Sequence, residues 1–339
     1  MKIIEKSVVL EDSTVSVLSS KLFNRFFKGE KIAVFDIETT GLSPKYNNII
    51  LAGFVIIDTS NFSGKLIQYF ADNPIEERDV LGKAIETLKD IDFVITYNGK
   101  SFDMPFLYER SSRLSLPYEQ IYNLDLYQLV KNHSTLKETL GSLSQKSMEK
   151  FMGIASNRDD EISGGESVTL YTKYTNSLEK NLLTQILLHN SDDVLQLTRL
   201  IPLIKYFDMD IAVKKLGFPL GEIYVTGFEC GISNFIVKGM QRRNLKDYIS
   251  FPSVDFLGKF EFLKEEGTWY IEYPVYTRKE GKYLDISIFE PANELRSKIN
   301  NPSSCVNGKL IIQENGIDNH MAQYDFALAL AEEVKKRVK

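Results

Sequence analysis

The stretch VFDIETTGL, residues 34–42, decides the fold that we expect for this chain. Side chains alternate along a β-strand, so Asp36 and Glu38 project to one face, with Cα atoms roughly 6.5 Å apart. The apolar residues before and between them face the other way: Ala33, Phe35 and Ile37. Because the flanks are apolar on both faces, the pattern predicts a central strand that is covered on both sides.

Two carboxylates on such a strand repel each other and are costly to bury without compensation. A divalent cation resolves this conflict, and a ligand set made only of oxygen atoms favours Mg²⁺ or Mn²⁺ over Zn²⁺. The alternative is an edge strand with two solvated acids, which the apolar flanks disfavour. The sequence therefore indicates a metal site at Asp36 and Glu38.

A second acidic position lies in TYNGKSFDMPFLYER, residues 96–110. A short strand is predicted to end at Tyr97 and a helix to start near Phe102, which places Asp103 at the mouth of that helix. Taken alone, Asp103 is explained by compensation of the helix dipole or by capping, which are common roles for aspartate.

A third acidic position lies in ILLHNSDDVLQL, residues 186–197, where His189 precedes Asp192 and Asp193. Taken alone, the two aspartates would cap a helix that begins near Asn190. His189 would then be a polar residue at a helix junction. Neither the second nor the third position indicates a reaction centre by itself.

The order of predicted elements indicates an α/β fold. Three strands, a helix, a strand, a helix, a strand and then further helices follow one another up to about residue 207. Strands joined by short turns should form an antiparallel meander, whereas strands that return through helices should lie parallel. This is the element order of an RNase H-like mixed sheet flanked by helices.

A change of pattern near residue 218 predicts a second domain. Beyond this point the sequence predicts β-strands with hairpin turns and an amphipathic terminal helix. We place the boundary in KKLGFPLG, residues 214–221, because of its Gly and Pro content. The expected organisation is an RNase H-like domain over residues 1–217 and a smaller, β-rich α+β accessory domain over residues 218–339.

Taken together, the three acidic stretches resemble the motifs of the DEDD superfamily of 3′–5′ exonucleases, which have RNase H-like folds. DIETTGL is similar to the first motif, NGKSFDMPFL to the second and HNSDDVLQL to the third. The resemblance covers residues 30 to 207, approximately.

The third motif departs from the superfamily's common forms, which have His five residues or Tyr four residues before Asp. Here His189 stands four residues before Asp193. This spacing matches the YprB-like predicted exonucleases, in which HN is followed by two variable residues and Asp. Two further stretches also resemble this group: LKETLGSLSQKSMEKFMG and RDDEISGGESVTLY. The resemblance to the YprB-like group is therefore more specific than that to the superfamily as a whole.

The resemblance implies that Asp36, Glu38, Asp103 and Asp193 hold two Mg²⁺ or Mn²⁺ ions. Asp36 would bridge both ions, Glu38 and Asp193 would bind the first, and Asp103 would lie near the second. Two such ions, about 3.5–4 Å apart, would clamp the scissile phosphate, activate the attacking water and stabilise the departing 3′-oxygen. His189 would orient the water or accept its proton.

The same resemblance implies that four residues contact the substrate: Thr39, Leu42, Asn98 and Phe102. Leu42 would wedge against the terminal base, while Asn98 and Phe102 would flank the 3′-nucleotide. Packing in the core explains Phe102 equally well.

The expected function is that of a metal-dependent 3′–5′ exonuclease whose partner is DNA or RNA with a single-stranded 3′ end. Two alternatives stay open: a nucleic-acid-binding or scaffold protein without turnover, and a structure-specific endonuclease. Degenerate members would normally lose a carboxylate, so the presence of all four acids favours the enzyme. A net charge of −5, from 41 basic and 46 acidic residues, disfavours non-specific coating of DNA.

The remaining sequence features bear on location. Cys230 and Cys305 are far apart and give neither a disulfide framework nor a cysteine zinc site. The N-terminus lacks the apolar core of a signal peptide, and no apolar run reaches membrane-spanning length. We therefore expect a cytoplasmic protein without a membrane partner, and the sequence identifies no protein partner.

Overall fold

The computed structural model describes residues 1–157, 159, 162, 164–242, 246–254, 256–287 and 305–338. The stretch RDDEISGGESVTLY, residues 158–171, therefore lies partly outside the described residues. The chain divides into two compact units, Met1–Phe207 and Asp208–Lys339. This division falls before helix Met209–Leu216, whereas the sequence places the domain boundary after it.

The first unit is built on a six-stranded sheet with the order β1-β4-β3-β2-β5-β6. Its strands are β1 (Lys2–Val9), β2 (Ile32–Thr39), β3 (Ile49–Asp58), β4 (Ser63–Phe70), β5 (Phe93–Thr96) and β6 (Tyr122–Asp125). Strands β1 to β4 pair antiparallel, whereas β5 and β6 run parallel to β2. The predicted RNase H-like mixed sheet is thus confirmed, with β1 as an edge strand that the sequence analysis did not assign.

Nine α-helices of the described residues accompany this sheet. They are α1 (Asp12–Leu18), α2 (Lys21–Phe27), α3 (Glu77–Lys89), α4 (Asp103–Arg113), α5 (Leu126–His133), α6 (Leu136–Leu140), α7 (Gln145–Met152), α8 (Gly164–Ser177) and α9 (Lys180–Leu200). Short 3₁₀ turns cover Pro74–Glu76, Ala155–Asn157 and Ile201–Tyr206. The helices flank the sheet on both faces, as the mixed-sheet prediction requires.

Strand β2 is buried between two layers of helices. On one face, its apolar side chains join a core with α3 and α4: Ala33, Phe35 and Ile37 with Val80, Leu81, Phe106 and Leu107. On the other face, β3 and β4 pack against α8 and α9 through a second core: Ile50, Leu51, Phe70, Tyr171, Tyr174 and Ile186. Each fully buried Val, Leu, Ile or Phe side chain contributes about 1.5–3 kcal/mol to folding. The predicted covering of β2 on both sides is correct.

Helix α9 runs without interruption through the polar cluster at His189–Asp193, because it is a single helix from Lys180 to Leu200. The alternative interpretation, in which the two aspartates cap a helix that begins near Asn190, is therefore wrong. Apolar side chains before and after the cluster, including Ile186 and Leu197, keep the helix packed on the sheet. The polar side chains face inward in mid-helix and do not cap a helix end.

In the described residues of the second unit, two antiparallel sheets are accompanied by two helices. Its elements are α10 (Met209–Leu216), β7 (Phe218–Leu220), β8 (Ile223–Cys230), β9 (Asn234–Gln241), β10 (Tyr248–Ser250), β11 (Lys259–Leu263), β12 (Thr268–Pro274), β13 (Tyr276–Arg278), β14 (Gly281–Asp285), β15 (Cys305–Val306), β16 (Lys309–Glu314), β17 (Ile317–Asp318) and α11 (His320–Val338). The sheets have the orders β10-β11-β12-β9-β8-β7 and β13-β14-β16-β15, with β17 paired to β16. This confirms the predicted β-rich α+β composition. Among the described helices of the chain, none is both long and apolar enough to cross a membrane.

Candidate metal centre

The first two acids lie where β2 approaches its carboxyl end, on the face that α9 covers. Glu38 is buried and Asp36 is partly buried. The Asp36 Oδ2 atom accepts a hydrogen bond of 3.0 Å from the Asn190 side chain on α9. The alternation predicted from VFDIETTGL therefore delivers both carboxylates to one side of a covered strand.

Asp103 reaches the same place from another element. It is the first residue of α4, it is buried, and its Oδ1 atom accepts the backbone N–H of Ile37 at 3.1 Å. The pairing of β2 with β5 ends at Val34 and Ile95, so the N–H of Ile37 lies beyond the last paired residue. Asp103 supplies the missing acceptor and is thereby fixed beside the residue that separates Asp36 from Glu38.

Asp125 holds the turn that precedes Asp103. Its Oδ1 accepts the backbone N–H groups of Asn98 at 2.8 Å and Tyr127 at 2.9 Å, and its Oδ2 accepts that of Lys100 at 3.0 Å. Asn98 has a left-handed backbone with φ of 64°, which these bonds stabilise. Asp125 caps α5 and also shapes the loop that leads to Asp103.

His189 and Asp193 complete the cluster from α9. They are four residues apart, so they lie on the same side of the helix. His189 is only 3% exposed, and its Nε2 lies 3.6 Å from Glu38 Oε1 and 3.6 Å from Asp193 Oδ2. One ligand atom from each of these three residues lies within 4.8 Å of the others. This spacing fits the coordination of one divalent cation.

Asp192 has a different environment from Asp193, although the two are adjacent. Its Oδ2 accepts the backbone N–H of Asp159 at 2.7 Å, and its side chain is buried. Asp192 therefore anchors a neighbouring segment. The structure brings Asp193 to the cluster.

Burial and mutual repulsion dominate the electrostatics of the cluster. Burial, followed by the charges of Asp103, Asp193 and Glu38, holds the pKa of Asp36 well above its usual range. Burial likewise raises the pKa of Asp103 to about 7, against the hydrogen bond from Ile37. A divalent cation would supply the compensating charge, and the oxygen-rich donor set suits Mg²⁺ or Mn²⁺. The residues present thus fit the metal that the sequence predicts.

The four residues that the sequence analysis expects to contact substrate differ in their exposure to solvent. Leu42 is 86% exposed, on the loop between β2 and β3. Thr39 is buried, and its hydroxyl donates to the Gly41 carbonyl at 2.7 Å, which shapes the same loop. Asn98 and Phe102 are partly buried, and the Phe102 ring packs 5.3 Å from that of Phe106. Leu42 is thus the most exposed of the four.

A buried ion pair anchors the loop that carries Leu42. Glu77, in the first turn of α3, accepts hydrogen bonds from Arg110 Nε at 2.7 Å and Nη2 at 2.6 Å. It also accepts the Asn48 side chain at 2.8 Å and the Ile49 backbone N–H at 2.9 Å. Arg110 further donates to the carbonyl of Pro44 within the loop. The loop is therefore tied to both α3 and α4.

Three residues of the site were given no role in the sequence analysis: Asn190, Gln68 and Gly53. Asn190 is fully buried and contacts Asp36 directly. Its place in HNSDDVLQL beside His189 was the only signal for it in the sequence. Gln68 and Gly53 carried no local signal, because their importance arises from pairing between distant strands.

Comparison with known proteins shows the family. A sequence profile of the RNase_H superfamily matches residues 33–204, roughly half of the chain. The chain therefore belongs to the RNase_H superfamily, as its element order and acidic motifs predict. The matched range contains every residue assigned to the metal centre.

Individual relatives share shorter stretches. The chain is 33% identical over 127 residues to a DNA polymerase of Methanocaldococcus jannaschii, a stretch that covers 34% of this chain and 7% of the polymerase. It is 27% identical over 159 residues to the DNA polymerase III PolC-type of Ureaplasma parvum, covering 40% and 11%. It is 28% identical over 188 residues to the uncharacterized protein YprB of Bacillus subtilis, covering 55% and 44%. The predicted likeness to YprB is confirmed, and the chain spans less than half the length of each of these relatives.

Proposed function

We propose that this protein is a metal-dependent 3′–5′ exonuclease that hydrolyses phosphodiester bonds of DNA or RNA. The observation that carries the proposal is the convergence of Asp36, Glu38, Asp103 and Asp193 with His189 at one edge of the mixed sheet. Membership of the RNase_H superfamily supports it, and so does the similarity to two DNA polymerases, whose names imply a nucleic-acid substrate.

In this proposal Asp36, Glu38, Asp103 and Asp193 would together hold two Mg²⁺ or Mn²⁺ ions. Such a pair supplies a Lewis acid for the attacking water and charge stabilisation for the departing 3′-oxygen. Glu38 and Asp193, whose ligand atoms lie close together, would hold one ion, and Asp103 would contribute to holding the other. The burial of the carboxylates keeps their charges from being screened by bulk water.

His189 acts on the attacking water in this proposal. Its Nε2 lies on the side where Glu38 and Asp193 converge, so a water held there is within its reach. Nε2 orients this water or accepts its proton, the roles that a positioned histidine most often plays in acid–base catalysis. The Asp193 side chain is 20% exposed, so water can reach the site from this side.

The substrate is proposed to be a single-stranded 3′ end. Leu42 presents an exposed apolar side chain on an anchored loop, a suitable wedge against the terminal base. Asn98 and Phe102 flank the 3′-nucleotide, and Thr39 holds the loop in shape. Residues 1–217 form the catalytic domain in this proposal, and residues 218–339 an accessory domain.

The test offers 5′-labelled single-stranded DNA and RNA with Mg²⁺ or Mn²⁺, and a covalently closed single-stranded circle as a control. We expect stepwise shortening of the linear strands, no reaction in EDTA and no reaction on the circle. Cleavage of the circle would show an endonuclease instead. Binding without cleavage of either nucleic acid with either metal would leave only a scaffold role.

A further inference from the structure

Three residues from neighbouring strands form one row across the sheet beneath α9. Asp36 on β2 pairs with Gly53 on β3, and Gly53 pairs with Gln68 on β4. Residues paired in this way project to the same face of a sheet. Asn190 of α9 lies over this row, within hydrogen-bonding distance of Asp36 and Gln68.

The side-chain amides of Gln68 and Asn190 form a hydrogen-bonded chain that ends at Asp36. Gln68 Nε2 donates to the Leu187 carbonyl at 2.8 Å and to Asn190 Oδ1 at 3.0 Å. Asn190 Nδ2 in turn donates to Asp36 Oδ2 at 3.0 Å. An ionised carboxylate can only accept hydrogen bonds, so Asn190 must turn its NH₂ group towards Asp36 and its oxygen towards Gln68. Gln68 thereby fixes which way the Asn190 amide points.

Gly53 provides the space for this arrangement. A Cβ atom at position 53 would lie 2.0 Å from Asn190 Oδ1, which is far inside van der Waals contact. Any other residue there would displace the Asn190 side chain. The close approach of α9 to the sheet at this point therefore depends on a glycine between Asp36 and Gln68.

We infer that Asn190, oriented by Gln68, is a positioning residue that fixes the Asp36 carboxylate for metal binding. The inference rests on the proposed function, in which Asp36 is a metal ligand. The Asn190 amide occupies one lone pair of Oδ2 and leaves Oδ1 and the other lone pair of Oδ2 for cations. Because the amide is uncharged, it orients the carboxylate without competing with the cation as a lysine or arginine would.

The expected consequence is a loss of metal affinity when the amide chain is broken. Partners of this kind behind a metal ligand typically affect affinity by about 10- to 100-fold. We expect Asn190→Ala to weaken Mn²⁺ binding within this range. Gln68→Met should weaken it in the same direction by less, because it frees the amide but leaves it in place. The double variant should bind no more weakly than Asn190→Ala, since Gln68 acts only through Asn190.

The matched control is Gln196→Ala, which removes another fully buried amide from the same helix. The Gln196 side chain donates to the Ile154 carbonyl at 3.3 Å and not to a residue of the metal centre. We expect Gln196→Ala to destabilise the metal-free protein comparably, with Mn²⁺ affinity close to that of the original chain. A general loosening of α9 would instead lower affinity in both variants.

The experiment measures Mn²⁺ affinity by titration calorimetry and by the electron paramagnetic resonance of free Mn²⁺, with thermal unfolding in EDTA as the measure of folding. Equal affinity for Asn190→Ala and the original chain, or an equal loss in Gln196→Ala, overturns the inference. If Asn190→Ala does not fold, unchanged affinity in Gln68→Met overturns it. If the original chain itself binds no Mn²⁺, the proposed function fails together with the inference.

Discussion

Asp192 and Asp193 are adjacent on α9, and the turn of about 100° between successive helical residues points them at different surroundings. Asp193 lies 3.6 Å from His189 and belongs to the carboxylate cluster, whereas Asp192 accepts a backbone N–H from Asp159. An amide oxygen can replace a carboxylate oxygen as the acceptor of a single N–H group, but it is a poor ligand for Mg²⁺. The two positions should therefore respond differently to the same substitution.

We predict that Asp193→Asn abolishes turnover, while Asp192→Asn keeps most of it. The two variants are matched, because they make the same chemical change at neighbouring positions. Initial rates on a labelled oligonucleotide with saturating Mg²⁺ give the comparison. The opposite ranking would contradict the assignment of Asp193 as the ligand.

The His189 Nε2 atom lies 3.6 Å from both Glu38 and Asp193, a position that suits either of two roles. His189 could act on the attacking water, or it could bind the metal itself. If it acts on the water, His189→Ala should lower kcat by about 10²- to 10⁴-fold and leave Mn²⁺ affinity nearly unchanged. Rates at saturating metal and calorimetric Mn²⁺ titration separate the effects. A parallel fall in Mn²⁺ affinity would show instead that His189 is a ligand together with Glu38 and Asp193.

The elements around the site are held by polar bonds at their ends rather than by apolar packing alone. Asp103 takes the N–H of Ile37 that β5 leaves unpaired, and Asp125 shapes the turn before α4. The loop between β2 and β3 is tied to α3 and α4 through Glu77 and Arg110. The position of Leu42 therefore depends on an ion pair that lies outside the metal centre.

We predict that Glu77→Gln destabilises the protein by about 3–5 kcal/mol, because it leaves Arg110 without its buried counter-charge. Loosening of the loop should also raise KM for a single-stranded substrate more than it lowers kcat. Urea unfolding and steady-state kinetics measure the two effects. Glu86→Gln on the same helix is the control, since its pair with Lys83 is exposed and its removal should change neither quantity.

For the molecule as a whole, the fold was predictable from the spacing of apolar and polar residues within single strands and helices. The alternation in VFDIETTGL predicted a covered strand with two acids on one face, and the cores around Phe35 and Leu51 confirm the covering. Strand β1 escaped prediction because it is an edge strand with mostly exposed side chains, stabilised by pairing with β4.

The site was predictable only where its signal is local. The acids at Asp36, Glu38 and Asp103 each stand at a recognisable strand or helix end. The stretch HNSDD has the composition of a helix start, so its sequence alone suggests that a helix begins there. In the structure it lies in the middle of α9 and faces the sheet. Asn190 could not be assigned, since its partner Asp36 lies 154 residues away. Only the folded sheet brings them together.

The raised pKa values of the cluster predict how stability depends on pH. Burial raises the pKa of Asp103 to about 7, whereas an aspartate in the unfolded chain titrates near 4. The folded state therefore binds more protons between these values, so metal-free stability should fall as pH rises from about 4 to about 7. Mg²⁺ binds the deprotonated acids, so the increase in Tm that it causes should grow over the same range.

Thermal unfolding at pH 4 to 8, in EDTA and in Mg²⁺, measures this dependence. Asp103→Asn should flatten the decline of metal-free Tm with pH, because it removes one of the titrating groups. A Tm increase by Mg²⁺ that is the same at every pH would contradict the account of the cluster as a set of buried, repelling carboxylates.

The proposed reaction removes nucleotides from a 3′ end with the 3′-oxygen as the leaving group. Mass spectrometry of the earliest products from a 5′-labelled single strand with Mn²⁺ tests it most directly. We predict nucleoside 5′-monophosphates together with a strand one residue shorter that ends in a 3′-hydroxyl. Internal fragments, strands ending in a 3′-phosphate, or an unchanged substrate would contradict the claim.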